Sequence, residues 1–166
     1  MNITVIGCGR WGSFLTWYLD RMGHQTTLYG RPDSPHMAQF LAARSNGVVT
    51  LPPRVRLSTS LEAAVQEAQA LVISIGSQNL RSLMAQLEPL LKPPLDVVLC
   101  MKGLEMETGL RLSQIAGQYL PAAIPVSVWL GPGHVQEFLA GIPNCMVIDS
   151  LDEDAKDRLI QAFRGD

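Results

Sequence analysis

Residues 7–12, Gly-Cys-Gly-Arg-Trp-Gly, set Gly7, Gly9 and Gly12 at G-x-G-x-x-G spacing, between a β-branched run and a helical pattern. Each glycine has its own task in such a turn. The first permits the tight bend, the second lets a pyrophosphate approach the backbone, and the third lets helix and strand pack closely. The helix behind the turn then offers free N–H groups and the positive end of its dipole to a phosphate. Glycines also make ordinary turns, so the spacing alone is weak. Its place after a strand and before a helix is what reads as dinucleotide binding.

Arg31 follows Gly30 in Leu-Tyr-Gly-Arg-Pro-Asp, at the end of the next apolar run. A strict NAD site usually carries an acidic residue here for the ribose hydroxyls. A guanidinium instead pairs bidentately with a 2′-phosphate and stacks on adenine. NADP is therefore expected to be accepted. The competing reading leaves Arg31 in solvent and gives the ribose to Asp33.

Of the three lysines, Lys92, Lys102 and Lys156, only Lys102 ends an apolar run, in Cys-Met-Lys-Gly-Leu-Glu. An ammonium there is a point-charge partner for a phosphate or a polarised carbonyl, and Gly103 permits a close approach. Physical chemistry alone leaves Lys102 evenly balanced between site and surface. Gly131-Pro132-Gly133 is a second tight loop whose backbone N–H groups suit an anion. His134 beside it has the chemistry of a general acid, yet a lone loop histidine is more often structural. Gly76, Ser77 and Gln78 precede a helix, where capping alone accounts for Ser77.

These residues all fall at the ends of short apolar runs. Strands are expected at Ile3–Ile6, Thr26–Tyr29, Ala70–Ile75, Val97–Met101, Val126–Leu130 and Cys145–Ile148. Helices are expected over Trp11–Met22, stopped by Gly23, over Leu61–Ala68 behind a Ser60 cap, and along the Leu80, Leu83, Met84, Leu87 stripe. A last helix should run from about Asp152 to Phe163, its acidic first turn matching the dipole. Phe14, Trp17 and Tyr18 carry the apolar face of the first helix almost all round, which calls for deep burial or a partner surface. Alternating strands and helices predict a Rossmann-like, doubly wound, mostly parallel sheet with helices on both faces, forming one nucleotide-binding domain over residues 1–166. In that architecture ligands bind beyond the carboxyl ends of the strands.

Composition narrows the classes. A formal net charge of −2 provides no basic field for nucleic acid or an anionic membrane. Cys8, Cys100 and Cys145 are odd in number and far apart, without C-x-x-C or histidine partners, so neither a disulfide framework nor a metal site is indicated. No segment reads as a signal peptide or membrane span, and a reducing, cytoplasmic compartment is the simplest expectation.

Taken in order, G-x-G-x-W-G, the Gly30-Arg31 step, Lys102-Gly-Leu-Glu and Gly131-Pro-x-His-x-x-Glu resemble the N-terminal half of the bacterial glycerol-3-phosphate dehydrogenase [NAD(P)+] family across essentially all 166 residues. The tryptophan of the first motif and the Lys-Gly-Leu-Glu step are not general features of the fold. The resemblance implies that Arg10 and Trp11, with Gly7, Gly9 and Gly12, lie against NADP or NAD, and that Gly30 and Arg31 meet its adenosine end. It implies that Lys102 contacts both the nicotinamide side and the substrate, dihydroxyacetone phosphate or glycerol 3-phosphate. Gly131 and Gly133 would line the substrate site, with Val135 and Glu137 on the cofactor side. Two positions depart from the family, which usually has serine at 133 and alanine at 135.

The same resemblance implies a second, helical domain that supplies the general-acid lysine and further substrate ligands. No residue of 1–166 can replace it, so this chain is expected to hold no catalytic residue and to bind cofactor without turnover. The complete enzyme would make sn-glycerol 3-phosphate for phospholipid synthesis, and a homodimer of it is allowed. Two alternatives stand beside this: a stand-alone NAD(P)-binding sensor or regulatory module, and half of a ketopantoate-reductase-like dehydrogenase.

Overall fold

The computed structural model describes residues 1–142 and 144–165. A seven-stranded sheet forms its centre: β1 (Asn2–Ile6), β2 (Gln25–Tyr29), β3 (Arg56–Ser58), β4 (Ala70–Ile73), β5 (Asp96–Leu99), β6 (Val126–Leu130) and β7 (Val147–Ser150). Their order is β3-β2-β1-β4-β5-β6-β7. All pairings are parallel except β6 with β7. The order reverses between β1 and β4, which opens a crevice at their carboxyl ends.

Alternation along the strands sorts the apolar residues into two cores. Ile3, Val5, Leu28, Val72 and Val98 face α1 (Arg10–Arg21), α2 (Pro35–Ala43) and α7 (Glu153–Phe163). Ile6, Leu71, Ile73, Val97 and Leu99 face α3 (Leu61–Val65), α4 (Leu80–Leu87) and α5 (Leu112–Gly117). A sheet buried on both faces accounts for continuous apolar strands such as Ala-Leu-Val-Ile, every residue of which is buried. The doubly wound reading therefore holds.

Several boundaries differ from those read in the sequence. The β4 and β5 runs stop at Ile73 and Leu99, two residues short of Ile75 and Met101. Ser74 and Cys100 each still donate a backbone N–H to the neighbouring strand, at 2.8 Å to Ile6 and 2.9 Å to Ile73, before the chain turns away with Ile75 and Met101 along the wall of a cleft described below. The last strand is Val147–Ser150 rather than Cys145–Ile148, and as an antiparallel edge strand it alternates between exposed and half-buried positions. The helix behind Ser60 ends at Val65, not Ala68. Three further elements lie outside those expected from the sequence: α2, begun by Ser34 and Pro35, the three-residue strand β3, and α5. A short helix α6 (Val135–Leu139) follows the Gly131–Gly133 loop.

Aromatic packing absorbs much of the broad apolar face of α1. Phe14 stacks at 5.2 Å from Phe138 of α6, and the Tyr18 hydroxyl donates to the Phe163 carbonyl at 2.8 Å. Three nearly buried carboxylates, Asp20, Asp96 and Glu105, are each gripped by both arms of an arginine: Arg54, Arg158 and Arg81. Two-point pairing is what makes burial of such charges tolerable. Among the described residues, no helix is long and apolar enough to cross a membrane.

Candidate cofactor and substrate clefts

The glycine turn joins β1 to α1, and each glycine is required for a different reason. A Cβ built on Gly7, where φ is +114°, would sit 2.0 Å from the Ser74 carbonyl oxygen. One on Gly12 would sit 1.9 Å from the Gly7 carbonyl oxygen. Both positions are closed by backbone, so strand, turn and helix touch directly. Gly9 is the opposite case: a Cβ there meets nothing within 4 Å and would project into open space. That opening lies at the start of α1, where Gly9 is the N-cap, no side chain caps the helix and no acidic residue occupies the first turn. The first bond into the helix runs from the Ser13 N–H to the Gly9 carbonyl at 2.9 Å, leaving the N–H groups of Arg10, Trp11 and Gly12 ahead of it. A dinucleotide pyrophosphate fits the donor set and the empty space at Gly9.

A cleft of 500 Å³ runs along this turn, walled by Gly7, Gly9, Arg10 and Trp11 on one side and by Ser74, Ile75 and Gly76 on the other, with Gly30 and Arg31 at its far end. Gly30 is pressed against Cys8 and Met37, so no larger residue fits there. Arg31 is three-quarters exposed and lies 3.6 Å from an equally exposed Asp33, a loose pair that leaves the guanidinium available. The two residues weighed as alternatives for the ribose end thus stand side by side.

A second cleft, of 350 Å³, adjoins the first and shares Trp11, Ser74 and Ile75 with it. Lys102, Gly131 and Gly133 come together on its wall, with Trp129 and Met146. The Lys102 ammonium donates to the Gly131 carbonyl at 3.0 Å, which leaves two of its three N–H donors free. Gly103 holds φ at +113°, a conformation that turns the chain sharply just after the lysine.

Other residues singled out in the sequence lie elsewhere. Val135, the first residue of α6, is buried in the core and lines neither cleft. Glu137 accepts from the His134 N–H at 2.9 Å and from the Asn144 side-chain amide at 3.4 Å, bracing the loop rather than facing a cleft. His134 is the exposed N-cap of α6. At Gly133 a Cβ would fall 2.3 Å from Asn144 Nδ2 and 2.5 Å from the Phe138 ring, so the space a serine would need is already filled.

Sequence reasoning missed what holds the Lys102 loop. The Gln78 side chain donates to the Leu104 carbonyl and accepts from the Met106 N–H, both at 2.9 Å. Arg81 on α4 pairs with both oxygens of Glu105, each at 2.8 Å, and Thr108 donates to the same carboxylate. The Arg81 bonds, helped by Thr108, hold the Glu105 carboxyl down at about 2. Burial pushes the Cys100 thiol, beside the same cleft, well above its ordinary range. These partners lie about twenty-five residues apart in the chain, and no local spacing announces them.

Comparison with known proteins agrees with this geometry. The model of the NAD-dependent glycerol-3-phosphate dehydrogenase N-terminus matches residues 2–156. The glycerol-3-phosphate dehydrogenase [NAD(P)+] of Cronobacter sakazakii is 34% identical over 164 residues, covering 96% of this chain and 48% of that protein. That of Aeromonas salmonicida is 34% identical over 161 residues, with 95% and 48% covered. The chain thus spans about half the length of the curated relatives it matches. Among solved structures, glycerol-3-phosphate dehydrogenase from Coxiella burnetii superposes with a TM-score of 0.90 at 22% identity, covering 99% of this chain and 51% of that one. At that identity the likeness speaks for the fold.

Proposed function

Because this chain belongs to the NAD-dependent glycerol-3-phosphate dehydrogenase family and matches its N-terminal part, we propose that residues 1–166 form a single domain that binds NADP or NAD and presents one wall of a site for dihydroxyacetone phosphate or glycerol 3-phosphate. The observation that carries this reading is that the glycine-turn cleft and the Lys102 cleft share Trp11, Ser74 and Ile75, so cofactor and substrate would meet across one boundary.

In this reading the α1 N–H groups and Arg10 bind the pyrophosphate, with Gly9 giving it room, and Arg31 takes the 2′-phosphate of NADP. When bound, the nicotinamide supplies or accepts the hydride. Lys102 meets the substrate with its free N–H donors, while the Gly131 carbonyl fixes its direction. Gly131 and Gly133 line the same wall as Lys102, where each is packed closely against the segment around residues 144–146. Trp11 and Trp129 exclude water from the junction, where fixed dipoles then act in a low dielectric.

The proton for the carbonyl oxygen would come from a lysine outside residues 1–166, on a helical domain that completes the site. The aromatic groove of Trp11, Tyr18, Trp129 and Phe163 is the face proposed to receive that domain. A homodimer of the complete enzyme and a cytoplasmic location belong to the same proposal.

Titration with NADPH and NADH, followed by nicotinamide fluorescence, tests the cofactor half. Arg31→Ala should weaken NADPH binding about tenfold or more and leave NADH within about twofold, because one charge-assisted contact is lost. A folded chain that binds neither nucleotide at millimolar concentration would defeat the proposal.

A further inference from the structure

The side chain meant to meet the substrate stands on a loop that is exposed over Lys102, Gly103 and Leu104 and buried at both ends, at Met101 and Glu105. Three residues span the gap, so fixing Glu105 limits the arc that Lys102 can sweep to a few ångström per residue. Glu105 is held from two sides: within its own loop, Thr108 donates to its carboxylate and its backbone bonds to Leu110 and Gly109, and from outside, Gln78 and Arg81 reach it. Gln78 brackets it like a neighbouring strand, bonding the carbonyl before it and the N–H after it. Arg81 grips its carboxylate with two arms and uses a third N–H on Gln118 of the segment beyond α5.

Both clamp residues project from a segment whose other face borders the cofactor cleft. Gly76, Asn79, Ser82 and Gln86 line that cleft, while Gln78 and Arg81 turn to the lysine loop. A buried carboxylate is costly to maintain, and hydrophobic replacement is often neutral or stabilising where only stability is at stake. Here it ends a loop that carries a candidate substrate contact.

We propose that Gln78 and Arg81, acting through Glu105, are positioning residues that hold Lys102 against the Gly131 carbonyl and aim it into the substrate cleft. The proposal deepens the reading of Lys102 as a substrate contact and rests on it for its purpose, though not for its geometry.

The three lysines make the test direct. Labelling with lysine enriched in ¹³C at Cε, which leaves the ammonium unmodified, gives one signal each for Lys92, Lys102 and Lys156, with Lys102→Arg identifying the signal of interest. In the ligand-free chain, Gln78→Ala and Arg81→Gln should each move the Lys102 signal toward that of solvent-exposed Lys92, and leave Lys92 and Lys156 where they are. Arg81→Lys, which keeps one arm on Glu105, should restore most of the shift. Gln78 is exposed, so Gln78→Ala preserves a folded test if Arg81→Gln unfolds. A Lys102 signal unmoved in a folded Gln78→Ala chain overturns the clamp.

Glycerol 3-phosphate added with saturating NADP then addresses the function separately. Wild type should show a Lys102 response, and the two variants should weaken it about tenfold, with NADPH affinity changed less than about twofold. A clamp effect without any wild-type response to glycerol 3-phosphate would leave the positioning geometry standing and reject the substrate. A wild-type response with equal affinity in both variants would reject the positioning role.

Discussion

Alanine at Gly9 and alanine at Gly12 should separate binding from folding within one four-residue stretch. Gly9 has φ −71° and ψ −177°, which alanine adopts without strain, and its Cβ direction is empty. Gly9→Ala should therefore leave stability unchanged or raise it by about 0.4–1 kcal/mol, because the unfolded chain loses freedom. For a chain of this size that is a Tm rise of no more than about 4 °C. The same methyl projects where the pyrophosphate must approach the α1 N–H groups. Displacing one charge-assisted bond costs about 1.5–3 kcal/mol, so the Kd for NADPH should rise about 10- to 100-fold. At Gly12 the new Cβ lies 1.9 Å from a backbone oxygen, roughly 1.5 Å short of ordinary contact. Neither backbone can yield without parting helix from strand, and a loss of about 1–3 kcal/mol or more follows from overpacking. Thermal melts and nicotinamide-fluorescence titrations on both variants provide the assay. Wild-type NADPH affinity in Gly9→Ala, or a Gly9→Ala melt as depressed as that of Gly12→Ala, would refute the assignment of separate tasks.

Lys102→Met should abolish measurable glycerol 3-phosphate binding in the presence of NADP, with the NADPH Kd within about threefold of wild type, as read by paired titrations. The Glu105 carboxyl, held at about 2 in the folded chain against about 4.3 unfolded, contributes stability that is complete above the unfolded value and lost as pH falls through the folded one. The urea midpoints of wild type and Glu105→Gln should accordingly differ by a constant amount at pH 6–7 and converge between about pH 4 and pH 2. Leu19 is fully buried between α1 and the sheet, and Leu19→Ala should cost about 2–5 kcal/mol in urea unfolding with an unchanged slope.

What the sequence reveals follows from how far apart the cooperating residues lie. The glycine turn is legible because its three roles fall within six residues, between elements of opposite periodicity. The central strands are legible because burial on both faces makes them uniformly apolar. The strand β3 escapes because Arg56-Leu57-Ser58 has no apolar run; it exists through pairing with β2, thirty residues earlier. The helix α2 carries a capping signal in Ser34-Pro35, but only Met37 and Phe40 are buried and Leu41 is exposed, so its stripe is thin. At the site, the position of Lys102 could be suspected from where its apolar run ends. Its Gly131 partner and its Gln78 and Arg81 supports depend on strand order, which sets β4, β5 and β6 side by side and so brings the segments at residues 78, 105 and 131 together at the carboxyl end of the sheet.

Two of the three tryptophans, Trp11 and Trp129, stand in the wall of the Lys102 cleft, and Trp11 also borders the glycine turn. Indole emission overlaps the absorption of a reduced nicotinamide, so a dinucleotide seated there would quench these residues by resonance energy transfer and brighten in return. Trp17, partly covered by Arg21 on the outer side of α1, supplies a less affected background. The protein thus carries its own optical probe at the junction of its two clefts, and occupancy can be followed in the unlabelled chain.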